Sequence, residues 1–293
     1  MAPVSRRTFL VAGGVGVLGV GGAAAVASGA VPVPARVRRI FAEPAVSGPV
    51  PDVPLGRERL EQVASRARGR TVGFWTAVPA GHGDGRGLPV CLVLHGASAT
   101  TADFSRFGLG RFLTAAVRVG VPPFVLAGAD GGPTGWEPAS GDDPQRMLME
   151  ELPRWCADRG WDVDRRAAYG WSLGGRGSLA LAERNPGLLR AVSALSPAVR
   201  HDDVVIADAA RLDGRRVAVW CGESDPLLPA VRSLVAAIPG GAAVAAFAPG
   251  AHTRGYWNTV TPAAFAFVGR ALAGTALAGT APTAPPAPAA TPG

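Results

Sequence analysis

Gly170-Trp171-Ser172-Leu173-Gly174 sets a serine in a Gly-x-Ser-x-Gly pattern. Such a serine can act as a nucleophile where the chain turns sharply from a strand into a helix. The turn exposes the hydroxyl, and the flanking residues must be small for strand and helix to pass closely. With 13 serines and 40 glycines, this composition yields about 0.24 chance matches, so the pattern alone is weak. Its context strengthens it: Ala167–Trp171 reads as a strand and Leu173–Arg184 as a helix. A serine hydroxyl needs a base to take its proton, and the base needs an acid to orient it. Of four histidines, His82 lies in the Gly-rich loop 81–85 and His95 ends a strand, where a structural role is expected. His252 follows the last strand and completes a chain order of serine, acid, histidine, with His201 as the alternative. For the acid, Asp225 in Gly222-Glu223-Ser224-Asp225-Pro226 is preferred to Glu223, because Pro226 is expected to open the next helix. A helix N-cap is the structural reading of the same aspartate.

Attack on a carbonyl creates an oxyanion that two preorganised N–H groups must hold. Leu173, at the positive end of its helix, supplies one. Ala97, in the loop His95-Gly96-Ala97-Ser98, is expected to supply the other. Trp171 and Trp136 are candidates to line a substrate crevice, with packing as the alternative for Trp136. Asp142 and Asp143 precede Pro144, which favours a helix cap over a cation site, and no metal is assigned.

These residues need a frame. Strands are expected over Leu60–Ser65, Thr71–Val78, Val90–Leu94, Phe124–Ala127, Ala167–Trp171, Ala191–Leu195, Val217–Trp220 and Ala243–Ala248. Helices are expected over Phe107–Val119, Pro144–Arg159, Leu173–Arg184, Pro226–Ile238 and Pro262–Ala273. The later strands are continuous apolar runs, as in a sheet covered on both faces. Alternating strands and helices imply a mostly parallel, three-layer α/β sheet, with ligands beyond the carboxyl ends of its strands.

The chain resembles the α/β-hydrolase superfamily, and within it the putative-esterase family that includes esterase D-like enzymes and secreted mycolyltransferases. The resemblance rests on 88–96, Met149–Pro153, Tyr169–Gly175 with Gly177, Gly222–Pro226, and His252 with Tyr256-Trp257, and it spans about Arg57 to Leu272. It implies an eight-stranded α/β-hydrolase sheet and a Ser172–His252–Asp225 triad acting on a carboxylic ester through an acyl-enzyme, without cofactor. The chain departs at Arg176, where the family often has a bulky or aromatic residue. It departs again in the short Ser196–Arg215 segment, which leaves little room for a large lid. Ester hydrolysis, acyl transfer to a cell-envelope sugar or lipid hydroxyl, and non-catalytic binding on the same scaffold remain open readings.

The chain has 293 residues, 48% of them apolar, and a net charge of +7 carried by arginine without a single lysine. Residues 1–51 hold five arginines and one acid, so the rest carries only +3 and a nucleic-acid partner is not expected. Ser5-Arg6-Arg7-Thr8-Phe9-Leu10, followed by an uncharged run to Val33, resembles a twin-arginine signal. Cleavage or retention as an anchor are its two outcomes. The expected organisation is a signal over 1–30, a Pro-rich linker over 31–54, a hydrolase domain over 55–274 and an Ala/Pro/Thr tail over 275–293. Of Cys91, Cys156 and Cys221, an odd number that cannot all pair internally, Cys91 and Cys221 lie in apolar strand-like runs and read as buried thiols, one disulfide being the alternative. The expected protein is an exported monomer, secreted or associated transiently with membrane or envelope, whose partner is a small-molecule or lipid ester.

Overall fold

A computed structural model of the chain describes residues 48–275 apart from Ser98 and Pro133. The signal segment, most of the linker and the tail lie outside the described residues. Eight strands form one sheet in the order β1-β2-β4-β3-β5-β6-β7-β8. They are β1 Arg57–Ser65, β2 Arg70–Val78, β3 Pro89–Leu94, β4 Val125–Ala129, β5 Asp162–Trp171, β6 Val192–Leu195, β7 Val217–Gly222 and β8 Val244–Ala248. The pairs β1/β2 and β2/β4 are antiparallel, and from β4 through β8 the sheet is parallel.

Every residue of β3, β4, β6 and β7 is buried, which is why these segments are apolar without alternation. Successive side chains still separate by face: Leu92 and Leu94 join one core, Cys91 and Val93 the other. Each fully buried Leu or Phe contributes about 1.5–3 kcal/mol through area removed from water. Strand β1 is the exposed edge, and its Arg57, Glu58, Arg59 and Glu61 discourage pairing with another chain.

The helices are α1 Ala102–Arg106, α2 Leu109–Arg118, α4 Leu173–Arg184, α5 Val204–Ala207, α6 Leu228–Ala237 and α7 Arg254–Ala273. Between α2 and α4 lies α3, which runs as Pro144–Arg146, a π segment Met147–Glu151 and Leu152–Ala157. Core residues of α3, α4 and α6 gather on one face of the sheet, and those of α1, α2 and α7 on the other.

All eight expected strands and five expected helices are present; Leu173–Arg184 keeps both its ends, and the others shift at one end or both. The largest shift is at α7, which begins at Arg254 and not at Pro262. Pro262 cannot donate to the carbonyl four residues back. The helix runs through it because Tyr256 and Val260 before it, and Phe265 and Val268 after it, are all buried against one core. The Thr261 hydroxyl donates to the Trp257 carbonyl just upstream. Pro226 likewise does not open α6, whose first-turn proline is Pro229. Helices α1 and α5 have no counterpart among the expected elements, each being too short for its apolar period to show. The three cysteines are buried free thiols.

Candidate active site

Strand β5 ends at Trp171, and α4 begins two residues later, at Leu173. Ser172 makes the turn with φ 55° and ψ −122°, a left-handed conformation that costs a non-glycine residue of order 1–3 kcal/mol. Three backbone bonds hold it there: its N–H donates to the Leu195 carbonyl at 2.9 Å, and its carbonyl accepts from Arg176 and Ala198 at 3.1 and 3.0 Å. Gly174 lies directly on the Leu94 and His95 backbone, where a Cβ would collide. The helix can therefore start on top of the sheet only with glycine at this position.

His252 lies beyond β8, between Ser172 and Asp225. Its Nε2 is 2.9 Å from Ser172 Oγ and its Nδ1 is 2.8 Å from Asp225 Oδ2. The other Asp225 oxygen accepts from Leu227 N–H at 2.9 Å, so one carboxylate orients both the imidazole and its own loop. Burial works to raise the Asp225 pKa. The His252 hydrogen bond and charge, with the Leu227 amide, outweigh it and hold the carboxyl below its usual range. Asp225 is fully buried, whereas the His252 side chain keeps 19% exposure and can be reached from solvent. Glu223 is exposed and outside this relay, and His201 is exposed and pairs with Ser233 Oγ at 3.3 Å.

The amide of Leu173 opens α4 and that of Ala97 lies in the strap after β3; among the described hydrogen bonds neither has an acceptor. The strap is close to the serine: a Cβ on Gly96 would sit 3.1 Å from Ser172 Cβ. Buried His95 holds it in place. Its Nε2 accepts from Gly131 N–H at 2.8 Å and its Nδ1 lies 2.8 Å from the Gly96 carbonyl, which fixes a neutral ring protonated on Nδ1. Burial pushes the His95 pKa down, consistent with that state.

Neither tryptophan expected to line the crevice does so. Trp136 is 1% exposed, and its Nε1 donates to the His95 carbonyl at 3.0 Å. Trp171 is 2% exposed and packs edge-on against Phe104 and tilted against Phe107 and Trp257. Both bury large apolar rings, which outweighs any gain from exposing them. Trp257, which the sequence offered only as part of a resemblance, is half-buried with its ring 5.2 Å from His252 and edge-on. The paired acids are also accounted for. Asp142 binds buried Arg68, whose hydrogen bond holds the carboxyl low, while Asp143 caps α3 by accepting from Arg146 N–H. No group of three or more potential metal ligands occurs among the described residues.

Residues 65–267 match the family described as Putative esterase. The chain belongs to this family. A search of curated proteins found no match. Among solved structures, a ferulic acid esterase aligns with TM-score 0.62 at 19% identity, covering 73% of this chain and 98% of its own. An S-formylglutathione hydrolase from Agrobacterium tumefaciens aligns with TM-score 0.61 at 20% identity, covering 74% and 96%. Mycobacterium tuberculosis MPT51 (FbpC1) aligns with TM-score 0.60 at 17% identity, covering 74% and 99%. At these identities the likeness establishes the fold, an α/β-hydrolase sheet, and the family membership makes the chain an esterase-type hydrolase.

Proposed function

We propose that the protein is an exported serine hydrolase that cleaves carboxylic esters through an acyl-enzyme. The observation that carries this reading is the His252 ring held between Ser172 Oγ and Asp225, on a serine that its backbone keeps in a left-handed turn. Ser172 Oγ attacks the ester carbonyl carbon as its proton passes to His252 Nε2, and Asp225 stabilises the imidazolium. The oxyanion forms beside the Leu173 and Ala97 amides. Collapse breaks the bond to the alcohol, which leaves with the proton from His252. Water then repeats the attack, releasing the acid and restoring the serine. The twin-arginine-like segment supports export before the enzyme works, as a monomer at or beyond the envelope.

The test is hydrolysis of a short-chain aryl ester together with fluorophosphonate labelling, for the mature protein and its Ser172→Ala variant. Both signals should disappear in the variant; labelling that persists without Ser172 would sink the assignment. The same reaction run with an added sugar separates hydrolysis from transfer. A sugar ester formed in place of free acid would make the enzyme an acyltransferase. A fusion of residues 1–54 to a reporter tests export, which should be lost when Arg6 and Arg7 are both changed to Gln.

A further inference from the structure

Arg176 lies one turn after Ser172 on α4, with its guanidinium held by carboxylates from two separate loops. Its guanidinium grips Asp203 with two bonds, Nε to Oδ2 at 2.8 Å and Nη2 to Oδ1 at 3.0 Å. Its Nη1 donates to Glu137 Oε1 at 2.6 Å, and the other Glu137 oxygen meets Arg184 at 2.7 Å. The Arg176 side chain is 14% exposed and that of Asp203 is 10%, so this pair is shielded from solvent more than a surface ion pair, while Glu137 and Arg184 on its outer side are partly exposed.

The two carboxylates belong to different loops, and both loops touch the nucleophile's turn. Asp203 ends the segment after β6, where Ala198 N–H donates to the Ser172 carbonyl, and it caps α5 through Val205 N–H at 3.1 Å. Glu137 closes the turn after β4. In that turn a Cβ on Gly135 would sit 3.4 Å from the Leu173 side chain, and Trp136 takes a left-handed φ of 70°. Trp136 packs on Gly177 of α4, where a Cβ would lie 2.7 Å from its own. Its indole N–H then reaches the His95 carbonyl, the first residue of the strap bearing the Ala97 amide.

We propose that Arg176 is a positioning residue for ester hydrolysis: by clamping Glu137 and Asp203 it braces the two loops beside Ser172 and, through Trp136 and His95, the oxyanion strap. This rests on the serine-hydrolase reading above. Arginine suits the task because its planar fork binds two carboxylates at fixed angles, which a lysine ammonium cannot do.

The test compares Arg176→Met, Arg176→Lys and the single-arm variants Glu137→Gln and Asp203→Asn by steady-state kinetics on a short aryl ester and by hydrogen exchange of the folded protein. Arg176→Met should lower kcat about 10–100-fold with little change in KM, since a displacement near 1 Å at the reacting centre has that effect. Arg176→Lys should recover part of the loss, and each single-arm variant should fall between. Exchange should rise in 134–137 and 199–205 but not around His252. Unchanged kcat in folded Arg176→Met, or a lowered melting temperature as its only effect, would overturn the proposal. If the wild-type protein cleaves no ester, the hydrolase reading fails by itself. The bracing is then judged by exchange, and unchanged exchange in both loops overturns it too.

Discussion

The carboxyl and amino edges of the parallel sheet handle polar groups in opposite ways. The only non-glycine residues with left-handed φ among those described are Trp136, Ser172 and Ser196, and they follow β4, β5 and β6 at the carboxyl edge. Buried polar groups converge there as well: His95, Ser172, Ser196 and Asp225. The amino edge carries charge without convergence. Arg190, Arg215 and Arg216 line a hollow of about 340 Å³, and they form no ion pair among the described residues. Among the described residues, the side chains of Arg190 and Arg216 reach the Leu272 and Thr275 carbonyls, at 3.5 and 3.4 Å, near the negative end of α7. A second hollow of about 300 Å³, between α2 and α7, is lined mostly by apolar groups such as Phe112, Val121 and Ala266. Strain and buried polarity are costly, so they persist where neighbours over-determine them, and here that is the edge holding the serine.

The contrast breaks most sharply at the acid. Asp225→Asn leaves the shape but cannot hold the His252 tautomer, and kcat should fall by about 10³–10⁴. Glu223→Gln, two residues away and exposed, should stay within about twofold of wild type. Equal effects would mean that the relay seen between Asp225 and His252 is not the one used. His95→Ala comes next. It removes a ring bonded at both nitrogens and strands the Gly131 N–H, at about 1–3 kcal/mol of stability. It should also lower kcat about tenfold, because the strap beside Ser172 loosens. At the amino edge, replacing Arg190, Arg215 and Arg216 together by Gln should leave kcat/KM within about twofold. A tenfold drop there would show that the two edges communicate.

Sequence made the strands and the order of chemical groups legible for a physical reason. A doubly covered sheet writes itself as apolar runs such as Val90–Leu94, and a sharp turn at Ser172 demands glycine next to Leu94. What it could not show depends on pairs distant in the chain. The Arg176 contacts with Glu137 and Asp203 span 39 and 27 residues and leave no periodic trace. The tryptophans misled because an aromatic residue beside a catalytic motif looks the same in one dimension whether it faces solvent or core. Trp136 resolves to core only when its contacts with His95 and Gly177 are seen.

The smallest expected effect sits at the other end of α4, the helix that runs from Ser172 away from the carboxyl edge. Glu183 is 2% exposed, its Oε1 has no partner among the described residues, and burial, with Asp208 adding to it, pushes its pKa up to about 8. The folded protein therefore keeps this proton at neutral pH, while the unfolded chain releases it in the ordinary carboxylate range. By linkage, this group's contribution to stability is fully present in acid, declines as pH rises past the unfolded value, and is lost once pH passes about 8. Glu183→Gln removes the titration. Its melting temperature relative to wild type should climb between about pH 5 and pH 8 and level off above, a gain of about 3 °C or more at this chain length. Its kcat at pH 7 should not move, because wild-type Glu183 is neutral there and contacts nothing at the serine. A flat melting-temperature difference across that window would show that the carboxyl is not held protonated. A changed kcat would place a buried, protonated carboxyl in the service of the site, away from the edge where the backbone strain is found.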